Sequence, residues 1–325
     1  MKKKRKIALI KDIVCFILYI IIFIYLIYYF FNNQEIVQGV LSTPLDRIFL
    51  NICCAACSVL VVAGMDIYCA RVFNLRLKWG EVIGITFVAS ALNLFLPLQM
   101  GSAIKAYYYK KKFHLPYSKY ISIASGTAIL QIFLTIVQLL ICIIGMFFCW
   151  KVGGEYIWMV VGVLLVGIIC FIFLLKCKTY VERIVPFKKY VLPIIEGFYQ
   201  LAENQKAICG CSSMLLIGIV LGSIRFWSIL NSFDSNIMFI NASLYFGIYT
   251  ASSIVPVLPG NIGIAEGIVG LMTVIFGHDF DLGMSAVLIN RIYIYIVTLI
   301  GALAAGFPIY RSLKKIEQNS IWEEE

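Results

Sequence analysis

Arg225, Glu266 and Arg291 fall in stretches otherwise apolar enough to lie inside a bilayer. An ionisable side chain at that depth costs at least a few kcal/mol and is by default a functional-site candidate. Arginine keeps its charge when desolvated and matches phosphate and carboxylate geometry. The chemistry that suits this set is recognition of an anionic lipid headgroup, with Glu266 as the arginines' partner when no headgroup is bound. At about 1.5 Å per residue, Glu266 lies about 16 Å below the outer end of its segment and the two arginines roughly 8–11 Å below. Snorkelling of the guanidiniums to the interface is the alternative for both arginines.

A second set, Asp66, Arg71 and Lys105, falls on the cytoplasmic side. Asn93, Gln131, Gln138 and Asn290 are neutral polar groups at membrane depth, for which interhelical hydrogen bonding competes with substrate contact. No second titratable group lies close in sequence to Glu266 to form an acid–base pair. No Walker-type phosphate loop and no metal-type His/Cys cluster occurs, so no cofactor or metal is expected. Cys54-Ala55-Ala56-Cys57 has CxxC spacing but reads as small apolar packing within a helix.

The segment that must position Glu266 is Ser252–Glu266, apolar yet carrying Pro256, Pro259, Gly260, Asn261 and Gly263. Irregular backbone at membrane depth survives only where protein or a wet cavity satisfies its polar groups. The stretch therefore reads as a broken, re-entrant helix that presents Glu266 to a polar cavity.

The whole chain agrees with that setting. Its 325 residues are 62% hydrophobic and 14% charged, with a mean hydropathy of +0.93. Those values exclude a soluble domain and define an all-α polytopic membrane protein. The net charge of +10 is a topology signal rather than a nucleic-acid signal, because the cations cluster between apolar runs. The N-terminal Lys/Arg cluster precedes a run too long for a signal peptide, so it reads as a retained anchor.

Spanning runs lie near 12–31, 48–70, 120–149, 156–175, 207–230 and 284–309, giving about six full spans. Stretches 81–104 and 238–277 are apolar but interrupted. Each reads as a re-entrant hairpin or a kinked full span. For 81–104 the positive-inside rule favours the hairpin, which keeps Lys105, Lys110, Lys111, Lys112 and Lys119 cytoplasmic. The cationic loop 176–206 is then cytoplasmic, with a surface-lying helix expected at 190–204, and both termini are inside.

The interrupted stretches share Pro-x-x-x-Gly-x-Ala, at Pro97–Ala103 and Pro259–Ala265, with Lys105 or Glu266 following. Entering from opposite sides, they make an inverted repeat, about 48–175 and 207–310, within one integral membrane domain spanning 1–325. Gly/Pro-interrupted segments in corresponding positions point to a transport site near the midplane. The bland alternative is that Pro97, Gly101 and their counterparts only kink ordinary helices.

Pro256, Pro259–Glu266 and Asn290-Arg291 resemble the second motif of the lysylphosphatidylglycerol synthetase transmembrane, flippase-like family. Asn93, Pro97, Gly101 and Lys105 resemble its first. This family is the membrane half of the multiple peptide resistance factors and their stand-alone relatives, and the resemblance covers about residues 10–310. Asn261 replaces the usual second glycine. The acidic–basic pair usual after the first motif is missing, with only Gln131 nearby.

The resemblance implies a bacterial cytoplasmic-membrane protein that moves an anionic or aminoacylated phospholipid, or a related lipid-linked substrate, between leaflets. It implies a link to antimicrobial peptide resistance. The family's soluble aminoacyl-transferring domain has no room after the last span, so no enzyme is expected. The alternatives are a membrane partner of a separately encoded lipid aminoacyltransferase or glycosyltransferase, or an intramembrane lipid-modifying enzyme. Membrane lipids are the expected partners and nucleic acid is not. A separate synthetase and self-association stay open.

Overall fold

A computed structural model describes residues 43–95, 101–150, 161–162, 164–169, 171–172, 188–233, 236–253 and 261–322. The expected first span at 12–31 lies outside the described residues, as does half of 156–175, whose described residues are helical. Among the described residues the elements are helical: α1 (Leu45–Arg71), α2 (Trp79–Phe95), α3 (Gly101–Phe113), α4 (Tyr117–Trp150) and α5 (Lys188–Glu203). They continue with α6 (Gln205–Leu230), α7 (Phe239–Ser252), α8 (Ile264–Ile275) and α9 (Phe280–Trp322). Among the described residues four helices are long and apolar enough to cross a membrane, over Leu45–Arg71, Tyr117–Phe147, Gln205–Phe233 and Phe280–Ser312.

Both interrupted stretches are broken. Helices α2 and α3 form a folded-back hairpin rather than one kinked span, because Glu81 near the start of α2 pairs with Lys112 at the end of α3 at 2.8 Å. The α7–α8 arms fold back likewise, with the Tyr245 ring 6.3 Å from Phe276 just beyond α8. Pro97, Pro256, Pro259 and Gly260, expected at the breaks, lie outside the described residues. Gly101 and Gly263 are described and open α3 and cap α8.

Lipid tails are as apolar as leucine, so small residues that allow close backbone approach hold such helices together. Helix α1 packs on α6, where a Cβ at Gly210 would lie 2.1 Å from the Tyr68 ring. The first arm of each hairpin packs against the long helix that follows the other hairpin: α2 on α9, and α7 on α4. Gly301 receives Phe87 at the first of these contacts and Gly247 receives Leu139 at the second.

The helix expected to lie on the surface spans Lys188–Glu203. Its apolar face is buried against α4 instead, through Phe198 and Leu201, both 0% exposed. Gly197 permits this approach, since a Cβ there would lie 1.8 Å from the Ser122 carbonyl oxygen.

Candidate functional site

The second break is built on left-handed backbone. Asn261 has φ 56° and Gly263 φ 87°. Only glycine adopts that region freely, and asparagine is the side chain that tolerates it best. This explains why Asn261 can stand where a glycine is usual. Its amide Nδ2 donates to the Ser252 carbonyl at 2.8 Å, closing the end of α7. Asn93 plays the opposite part at the first break. Its Oδ1 accepts the Gly101 N–H at 2.7 Å, satisfying the start of α3. Gly101 must lack a side chain, because a Cβ there would lie 2.0 Å from the Ala89 carbonyl oxygen.

Glu266 is the third residue of α8, with Gly263 as its N-cap. Its Oε2 accepts the Gly263 N–H at 2.8 Å, and its Oε1 lies 2.8 Å from Arg291 Nε. A carboxylate in this position satisfies an orphan helix donor and meets the positive end of the helix dipole. Arg291 Nη2 also donates to the Asn261 carbonyl at 3.0 Å. Glu266 was expected to face the cavity. It is only 1% exposed and is turned toward its own helix terminus, with Arg291 rather than the carboxylate on the cavity wall.

Charged residues from both of the expected sets open onto one space: Asp66 and Lys105 from one, Arg291 from the other. A cavity of about 500 Å³ is lined by Asp66, Lys105 and Asn93 from the first hairpin region and by Asn261 and Arg291 from the second. Gln131 on α4 completes this wall. Lys105 Nζ pairs with Asp66 Oδ2 at 2.6 Å, and the same oxygen accepts Thr86 Oγ1 at 3.4 Å. Arg71 is not brought in; it is exposed, with its guanidinium 4.6 Å from the Tyr68 ring.

Arg225 does not snorkel. It is 3% exposed, its Nε bonded to Asn290 Oδ1 and its Nη1 to Ser58 Oγ at 3.2 Å. It lines a side chamber of about 290 Å³ that shares Gln131, Tyr249 and Ser253 with the main cavity. Gln138 and Asn290 make the interhelical bonds expected of them, Gln138 Nε2 reaching the Ser243 carbonyl at 2.9 Å.

Tyr249, Tyr295 and Tyr120 also line the main cavity and were missed in the sequence. Nothing distinguishes them among the chain's 19 tyrosines. The one usable signal is that Tyr249 immediately precedes the polar Thr250–Ser253 run before the break.

The fold and site together define a multi-pass helical membrane protein with a polar cavity between two broken hairpins. The family model for the lysylphosphatidylglycerol synthase TM region matches residues 13–301, and the chain belongs to that family. Its role is thus related to membrane lipids. No curated protein and no solved structure matches the chain.

Proposed function

We propose that the protein moves an anionic or aminoacylated phospholipid between the leaflets of the bacterial cytoplasmic membrane. The headgroup enters the cavity while the acyl chains stay in the bilayer. The observation that carries this reading is the cavity of about 500 Å³, walled by the Lys105–Asp66 pair on one side and on the other by Arg291, whose partner Glu266 stands behind the wall. Its volume is in the range of small-molecule sites, about 300–1,000 Å³, which suits a headgroup and not a whole lipid.

The packing supports an inverted repeat. Helices α1 and α6 pair with each other, while α2–α9 and α7–α4 exchange partners, as two halves related by a twofold axis would do. In this reading the hairpins enter from opposite faces and both termini are cytoplasmic. The membrane part transports and does not catalyse.

Purified protein in vesicles carrying labelled phosphatidylglycerol or lysyl-phosphatidylglycerol in one leaflet tests it. Leaflet transfer above protein-free vesicles is expected, with a loss of tenfold or more in Arg291→Ala and Lys105→Ala. No transfer, or a covalently altered lipid, would overturn it.

A further inference from the structure

Charge is balanced in the main cavity and unbalanced beside it. Lys105 has Asp66, and Arg291 has Glu266. Arg225 is buried to the same degree, yet among the described residues no carboxylate lies within ion-pair reach of it. Its contacts are neutral oxygens of Asn290 and Ser58. A buried charge without a counter-charge is strongly unfavourable, so this position calls for an anion that the described residues do not supply.

The chamber around Arg225 has the donors to receive one. It lies between α1, α4, α6 and α7. The hydroxyls of Ser58, Thr250 and Ser253 already donate to backbone carbonyls of their own helices. Thr135 does not: it is 2% exposed and lines the chamber, and its Oγ1 has no partner among the described residues. With Nε and Nη1 of Arg225 engaged, Nη2 remains. Gln131 and Tyr249 stand at the boundary with the main cavity. The free guanidinium nitrogen plus a hydroxyl, enclosed in about 290 Å³, suits one or two oxygens of a tetrahedral oxyanion.

We infer that Arg225, Thr135 and the chamber they line form an oxyanion site that takes a phosphate or phosphodiester group, separate from the ion-paired cavity. For a lipid phosphodiester the inference rests on the transport reading. For a free phosphate it stands without it.

The test uses the full chain in nanodiscs of phosphatidylcholine, read by thermal unfolding. Three arms are compared: inorganic phosphate, the soluble phosphodiester glycerophosphoglycerol, and nanodiscs containing phosphatidylglycerol. At saturation at least one arm raises the wild-type unfolding temperature by about 5 °C. A response to inorganic phosphate marks a free-anion site, and a response to phosphatidylglycerol without one marks a lipid headgroup.

Arg225→Gln abolishes the response and does not lower the unfolding temperature without anion, since it removes an unbalanced charge. A purely structural arginine would show the reverse. Ser58→Asp is the second variant, supplying an internal counter-charge 3.2 Å from Nη1 in the position of the hydroxyl. It raises the anion-free unfolding temperature and removes the response, and it decides the matter if the glutamine variant does not fold. An equal response in Ser58→Asp, or none in the wild type, overturns the inference. Failed leaflet transfer with an intact anion response would overturn the transport reading alone.

Discussion

Arg291 and Glu266 meet twice across the junction of α9 and α8, at 2.8 Å through Nε and 3.4 Å through Nη2. The same arginine holds the Asn261 carbonyl and the same carboxylate holds the Gly263 N–H. The pair therefore fastens the α8 end of the second break, and its members act on the cavity differently. Arg291 reaches the cavity wall, and Glu266 sets where Arg291 stands.

Glu266→Gln leaves Arg291 buried without its counter-charge and should destabilise the protein by about 3–5 kcal/mol. Glu266→Gln combined with Arg291→Gln should cost clearly less than the sum of the two single changes, because each alone strands a charge. Thermal unfolding of the three variants in one detergent checks this. Additive losses would mean that the two side chains do not act as a unit.

At Asn261 backbone conformation, rather than side-chain chemistry, should set the order of tolerance. Asn261→Gly keeps the left-handed backbone available and loses one bond to Ser252. Asn261→Ala loses that bond and pays about 1–2 kcal/mol for the left-handed conformation. Alanine should therefore be the less stable variant, a comparison that needs only two unfolding curves.

The first hairpin offers a test of charge balance inside the main cavity. Asp66→Asn strands Lys105, which is 6% exposed, whereas Asp66→Asn with Lys105→Met removes both charges. The single variant should be the less stable by about 1–3 kcal/mol. Both should fall tenfold or more in leaflet transfer. Retained transfer in the double variant would show that this pair serves folding alone.

The alanine- and glycine-rich stretch Gly301–Gly306 of α9 separates into two behaviours. A Cβ at Gly301 would lie 2.2 Å from the Phe87 ring, while one at Gly306 meets nothing within 4 Å. Gly301→Ala should destabilise by about 1–3 kcal/mol through overpacking. Gly306→Ala should stay within about 0.5 kcal/mol of the parent. Expression level and unfolding temperature measured side by side distinguish the two.

The breaks were legible because proline and glycine in apolar sequence carry a local signal, and the folded-back first hairpin followed from lysine placement. The orientation of Glu266 is also written locally, since Gly263-x-x-Glu266 has capping-box spacing, a helix-end signal that outweighs the pull of a buried charge toward the cavity. What could not be read was the meeting of the two charged sets. That depends on which hairpin arm packs on which long helix, and a glycine such as Gly301 accepts a neighbour without naming it. The same holds for Arg225, whose burial depends on Asn290, 65 residues away.

One helix touches nearly everything that matters here. Near its start α9 carries Arg291 at the second break; further on, Gly301 seats Phe87; beyond that, Ile309 packs with Ile85 and Tyr108 of the first hairpin. From Arg291 to Ile309 is about 27 Å of continuous helix. A rod of that length ties the two hairpins together: a tilt that shifts Arg291 at the second break also shifts Gly301 and Ile309 against the first hairpin, so neither hairpin is displaced on its own.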